Sequence, residues 1–574
     1  MDTSSFRRLA LAAGLGIVTA GTAGVAHAQN TSRPGNAGVY LAARQASQAG
    51  DFRAAAEFFQ QAHARDRANG YLLENAIAAL VAVHDMERAA ELAEQAHVLG
   101  VRSQVANMVS FGAAAEQGDW RRVFNDLEAG LSVGPLVDGL AQAWAFVGLE
   151  DAHRAEAAFD AVIETPGLTF FGLYHKALGR AVLGDLAGAE AILSLPPEDG
   201  LLRTRRVLVL RAEVLSRLGR AAEAARLIDT SFPPPLDHRL TALRAALETG
   251  APLPPTIAGS AREGLAEAFF SVADAVQGET ADSYTLLYSR LSEHLAPGND
   301  AATLMSGELL ESLERFHLAS DAYRAVSPDS PAYIAAELGR AGALRKAGAK
   351  AEAAEVLRAL VAAHETATVQ ASLGDVLRQL GEHGAANAAY SRALEIGDAA
   401  DRTRWFIHYT RGITFQKLGD WDSAEADFRA ALALEPDQPQ VLNYLGYSLV
   451  ELDSNLEEAL GMIRTAAAAR PENGSIVDSL GWALFRLGHY AEAVAHLERA
   501  AELDPTRAVI VNHLGDAYWA VGRRTEARFQ WRRALSFGPE EALAVQLRDK
   551  LEHGLETARI SEDEPIQVAH EDGL

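Results

Sequence analysis

The sequence predicts an all-α fold, a solenoid or superhelix of tandem helical hairpins in two arms. Gly412, Gly446, Gly481 and Gly515 fall 34, 35 and 34 residues apart. Two sets of alanines, Ala424, Ala459, Ala493 and Ala527 and then Ala431, Ala466, Ala500 and Ala534, keep that step. So do the bulky Phe428, Ile463, Leu497 and Trp531 and the prolines Pro436, Pro471, Pro505 and Pro539. The 574 residues are 49% apolar but only 7% aromatic and contain no cysteine, so small side chains, alanine above all, carry much of the packing. A fixed period of this length marks a repeat architecture: one hairpin cannot bury its own apolar face, and stacked neighbours can.

In chain order, residues 1–28 read as a signal peptide. Arg7 and Arg8 precede an apolar stretch from Leu9 to Val25, and Ala26-His27-Ala28 supplies the small-residue cleavage site. Cleavage after Ala28 predicts a mature periplasmic chain that begins at Gln29. It would keep no integral membrane segment, since no other stretch approaches twenty uninterrupted apolar residues. An N-terminal array is expected over 36–230. Asn36 to Asn69 carries Ala43, Gly50, Phe52, Ala55, Phe59 and Ala62, Tyr71 to Arg102 follows with Ala89, Ala93 and Ala96, and weaker units lie around Phe159, Leu193 and Ile228.

Over 231–260 the rhythm fails, because two proline clusters, Pro233-Pro234-Pro235 and Pro252, Pro254 and Pro255, flank a helical stretch from His238 to Thr249. This segment is predicted as a proline-rich joint between the arms. A degenerate helix pair, Ala261 to Gln277 and Asp282 to Leu295, is expected to restart the stack in a C-terminal array over 261–541. Its clearest unit shows the logic. Leu480, Gly481 and Leu484 share a face of the first helix, Gly488 breaks the chain, Ala493, Leu497 and Ala500 recur on the second helix, and Pro505 stops it. Residues 542–555 are predicted as a capping helix with Leu543, Val545, Leu547 and Leu551 facing the last unit. Residues 556–574, rich in acids, are predicted as a disordered tail.

The Leu-Gly pair, the later alanines, the bulky residue between them and the closing proline resemble the tetratricopeptide repeat. Departures are Arg411 where leucine is expected, and His408, Leu442, Val477 and Val511 where tryptophan is common. In that family the first helices line a concave groove, through the residue after the glycine and the one four positions earlier. Carried over, these are Tyr409 and Ile413, Asn443 and Tyr447, Asp478 and Trp482, and Asn512 and Asp516. The resemblance implies a protein-binding groove that grips an extended peptide by hydrogen bonds and apolar anchors. Ser475, Ser479, Val509 and His513 stand where a basic carboxylate clamp would need cations, so that variant of the groove is not expected.

No catalytic, cofactor-binding or metal-binding residues are expected. The chain has no HExxH, no GxSxG in a strand-to-helix turn and no phosphate-binding loop. Only 33 residues follow position 541, too few for a separate catalytic domain. With 52 basic against 77 acidic residues the net charge is -25, which disfavours nucleic acid and favours partners with basic surfaces. The expected function is a periplasmic scaffold or adaptor for proteins or extended peptides, and homo-oligomers are compatible with such a surface. Similarity in the C-terminal half to exported adaptors implies delivery of cell-wall hydrolases to a processing protease. The alternatives are an assembly factor for an envelope secretion, pilus or polysaccharide-export machine and, least favoured, a cell-wall enzyme.

Overall fold

The structure, a computed structural model, describes residues 37–234, 236–397 and 401–555. The expected signal peptide at 1–28 and the expected acidic tail at 556–574 lie outside the described residues. Within these residues all regular structure is helical, in antiparallel pairs that follow one another along the chain. The chain forms two compact units, one reaching Leu360 and the other starting at Val361.

Each pair is built the same way. The chain leaves the first helix through a residue of positive φ, such as Gly118 or Gly419, and non-glycine residues, His84, Glu150 and Glu314, hold the same position elsewhere. Where the next residue is aspartate it caps the second helix, whereas Arg220, Arg315, Glu382, His489 and Arg523 at that position make no side-chain cap bond. Asp51, Asp85, Asp119, Asp151, Asp185 and Asp420 each accept a hydrogen bond from the backbone N–H three residues on. Such caps contribute about 1 kcal/mol apiece.

Inside a pair the helices touch through glycine. A Cβ on Gly446 would lie 2.7 Å from Ile463, one on Gly481 2.6 Å from Leu497, and one on Gly515 2.5 Å from the Trp531 ring. The repeating alanines and the knobs Phe428, Ile463, Leu497 and Trp531 are all fully buried. The 34-residue pattern is thus the packing pattern of the second unit.

The first unit differs from a plain stack. The segment 231–260 does not separate two arms there: its helix His238–Glu248 packs on Ala221–Ser231, and Leu253 N–H and Thr256 bond back to Ser216 and Glu213 of the helix Arg205–Arg217. The helix pair after it also departs from the expected restart. Ala261–Val276 packs on the first helices Gln104–Gln117, Pro135–Gly148 and Thr169–Val182, while Asp282–Leu295 packs on Gly70–Ala82 and Gln104–Gln117. The pair therefore lies across the successive first helices of its own N-terminal array. Asp282–Leu295 also packs on Asp300–Ser312, and the hairpin series resumes from there.

The physical reason is the composition of Ala261–Val276, which is apolar around nearly its whole circumference and buried to match. One polar network fixes it. Arg206 donates through both Nε (2.7 Å to Oε1) and Nη2 to the fully buried Glu267, and Tyr174 Oη donates to the same carboxylate at 2.7 Å. Beside it, Trp144 Nε1 donates to His175 Nδ1 at 3.2 Å, so the proton of His175 lies on Nε2, 3.2 Å from Ser271 Oγ. Burial, aided by Arg206, pulls the His175 pKa down to about 3. Gly264 sits against Trp144, where a Cβ would come within 2.3 Å of the ring.

In the second unit the C-terminal helix is Glu541–His553, and its register corrects the expected cap. Ala544, Leu547 and Lys550 are buried, Leu543 and Leu551 are partly buried against the core, and Val545 is 54% exposed. Positions 544, 547 and 551 follow the three- and four-residue steps of one helix face, and 545 falls off that face.

Candidate protein-binding surface

The eight residues singled out from the sequence all lie on first helices of the second unit. The helix Asp401–Lys417 holds Tyr409 and Ile413, Pro439–Glu451 holds Asn443 and Tyr447, Gly474–Arg486 holds Asp478 and Trp482, and Ala508–Ala520 holds Asn512 and Asp516. Pro439–Glu451 packs on Gly474–Arg486, and the latter on Ala508–Ala520, so consecutive first helices form one face. Seven of the eight are buried; Trp482 is partly exposed.

Tyr409 makes an edge contact with Tyr444 at 5.8 Å between centroids and packs on Phe428 at 6.1 Å. Burial pushes its phenol up to about 12. Tyr447 is buried as well, and burial together with the Glu451 and Asp478 carboxylates raises its pKa well above the ordinary value. These two rings pad the helix stack and do not stand out as anchors, because the first helices approach one another closely. Trp482 retains an exposed edge: it stacks on His513 at 4.1 Å and Phe485 at 5.0 Å, and its Nε1 donates to Glu451 at 2.5 Å.

The acidic and amide members are satisfied within the fold. Asp478 accepts from His513 Nδ1 at 3.0 Å. Asp516 accepts from Trp531 Nε1 at 2.9 Å and from Lys550 Nζ at 2.7 Å, and Asn512 accepts from Lys550 Nζ at 3.0 Å. Lys550, from the C-terminal helix, thus closes the face at its last repeat. Nothing in the repeat period announces that contact; its one signal is a lysine on the inward face of the cap in a chain with only five lysines.

A basic stripe also escaped the sequence reading. Arg524, Arg528 and Arg532 follow one another at four-residue steps on Arg524–Ser536, exposed beside Phe529. Arg524 and Arg528 lie over the Trp519 ring at 5.0 and 5.8 Å. The run from Arg523 to Arg533 is a local basic cluster within a chain whose net charge is -25.

His513 gives this face a pH dependence. Burial pushes its imidazole down, but the Asp478 carboxylate, with Asp516 and Glu451, outweighs burial and leaves the pKa above the usual histidine value. A raised histidine stabilises fully below the unfolded value of about 6.5 and loses that contribution as pH rises through the folded value. Thermal melting of the second unit at pH 6 and pH 9 should show this loss, and His513→Asn should remove that part of the slope. An identical slope in the variant would contradict the assignment.

Fold and face together define a helical-repeat protein of the interaction-surface kind. The chain carries tetratricopeptide repeats, matched by the models of that family at residues 409–474 and 478–507. It is similar to a TPR repeat-containing protein of Pseudomonas aeruginosa, PA4667, at 30% identity over 198 residues, 34% of this chain and 33% of that protein. It also resembles the Lipoprotein NlpI homolog of Haemophilus influenzae at 36% identity over 75 residues, 13% of this chain and 24% of that one. The chain therefore spans about a third and a quarter of these relatives. Among solved structures, that of the Cut9-Hcn1 complex aligns over 91% of this chain and 97% of its own, at 14% identity and a TM-score of 0.38. Among the described residues no helix is long and apolar enough to cross a membrane, and no group of His, Asp and Glu could hold a metal ion.

Proposed function

We propose that this protein is a periplasmic scaffold or adaptor that binds partner proteins through the first-helix face of its C-terminal repeats. The observation that carries this is Trp482, the member of the eight-residue set that keeps an exposed edge, fixed by Glu451, Phe485 and His513 in the tetratricopeptide segment. An aromatic side chain already immobilised loses little entropy on binding, and such residues dominate interface energetics. The tetratricopeptide fold, the low content of cationic residues and the leader read at residues 1–28 support an exported, protein-directed role. The net charge of -25 favours a partner with a basic surface. Delivery of cell-wall hydrolases to a processing protease is the specific role we favour, and the likeness to a lipoprotein homologue supports an envelope location.

Affinity capture from envelope extracts with the purified chain at low and high ionic strength tests this. Basic envelope proteins should be retained at low salt and lost as charge is screened. Equal recovery of acidic and basic proteins at both salt concentrations would contradict the proposal.

A further inference from the structure

The first unit contains a cavity of about 280 Å³ where the inserted helix Ala261–Val276 meets the array around it. Four helices start at its wall. Phe170 and Phe171 belong to the first turn of Thr169–Val182, Arg205 and Arg206 to that of Arg205–Arg217, Arg239 to that of His238–Glu248, and Ala301 to that of Asp300–Ser312. Helix starts carry partial positive charge, and three of the lining side chains are guanidinium groups.

The arginines differ in how they are paired. Arg206 is clamped on Glu267 and lies 4.3 Å over the Phe270 ring; Arg205 forms a two-pronged pair with Asp237 at 2.6 and 2.9 Å. The Arg239 guanidinium, partly buried, has no acceptor at hydrogen-bond or ion-pair distance among the described residues. Burial and the like charge of Arg206 both push its pKa down. The carboxylates of Asp300 and Glu213 act on it from beyond contact distance and offset part of that push, so its guanidinium donors remain open to a further acceptor. Phe170, Phe171 and Phe270 with Val209 and Ile257 form the apolar part of the wall, beside Tyr174, Thr204 and Ser271. Glu267 and Asp274 also line the cavity, both from the inserted helix, and Glu267 is committed to Arg206 and Tyr174.

We infer that this cavity is a binding site for a small carboxylate with an aromatic or branched apolar body. The carboxylate pairs with Arg239 and the apolar body lies against Phe170, Phe171 and Phe270. The size suits one such residue, near the lower end of small-molecule pockets. A carboxylate matches the planar, forked donors of arginine. The site is independent of the protein-binding face in the second unit.

Isothermal titration of the full chain with N-acetyl-L-phenylalanine, and with the corresponding amide as uncharged control, tests the inference. The acid should bind and the amide should bind at least about tenfold more weakly, as expected when a charge-assisted pair is lost. A pentapeptide with a free C-terminal phenylalanine, run beside the acid, distinguishes a peptide terminus from a free acid as the source of the carboxylate; the tighter binder identifies it. Arg239→Gln should weaken binding of the acid about tenfold or more. Ala301→Phe, which fills the cavity and leaves every arginine in place, should abolish it while circular dichroism stays unchanged. Binding of acid and amide with equal affinity, binding unaffected by both substitutions, or no binding of either carboxylate would overturn the assignment.

Discussion

Glu267→Ala should destabilise the first unit by about 3–5 kcal/mol, the range seen when one partner of a buried ion pair is removed. Glu267 is fully buried and is the common acceptor for Arg206 and Tyr174. Without it the Arg206 guanidinium remains beside the inserted helix with no counter-charge, and the Tyr174 hydroxyl loses its acceptor. Urea unfolding should show the loss in the transition assigned to the first unit. The double variant Arg206→Met/Glu267→Met should recover much of it, because an apolar pair of similar volume replaces the ion pair without stranding a charge. A single variant as stable as the parent would show that Ala261–Val276 is not held in this way.

Trp531→Ala should cost about 3–5 kcal/mol in the second unit, as expected for removal of a fully buried tryptophan. The ring fills the space left by Gly515, and its Nε1 donates to Asp516, which also receives Lys550 from the C-terminal helix. The truncation opens a cavity and removes one of the donors to a buried carboxylate, so protection of the Glu541–His553 amides against hydrogen exchange should fall with it. Phe529→Ala, two residues away but 63% exposed, should change stability by less than about 0.5 kcal/mol. Equal effects of the two substitutions would contradict the packing.

The repeat was legible in the sequence because its constraints are local to each hairpin. Gly481 must admit Leu497, and Ala493 and Ala500 must leave room around it, so the same residue types recur wherever the same contact recurs. The caps were equally legible and went unread: Asp51, Asp85 and Asp119 stand 34 residues apart and perform one task. The inserted helix was harder, since its partners lie far earlier in the chain: Arg206 and Tyr174 precede Glu267 by 61 and 93 residues. Its signal was apolar residues on nearly every side of the helix, with Glu267 set among them, which marks a helix enclosed more fully than one stacked on two. At the candidate face, the positions carried over from the family are on the expected helices. Their burial depends on how closely successive repeats approach, which a list of residue types does not contain. Tyr447 and Trp482 occupy equivalent positions in adjacent repeats, yet one is enclosed and the other keeps an edge in solvent.

The central claim is that partners dock on the first-helix face of the C-terminal repeats, and site-specific photo-crosslinking in cells tests it most directly. A photoreactive amino acid placed at position 482 should form crosslinks to an envelope protein, with few or none from position 529 on the second-helix surface. Crosslinks of equal yield from both positions, or from position 529 alone, would contradict the account and move the binding surface away from Trp482.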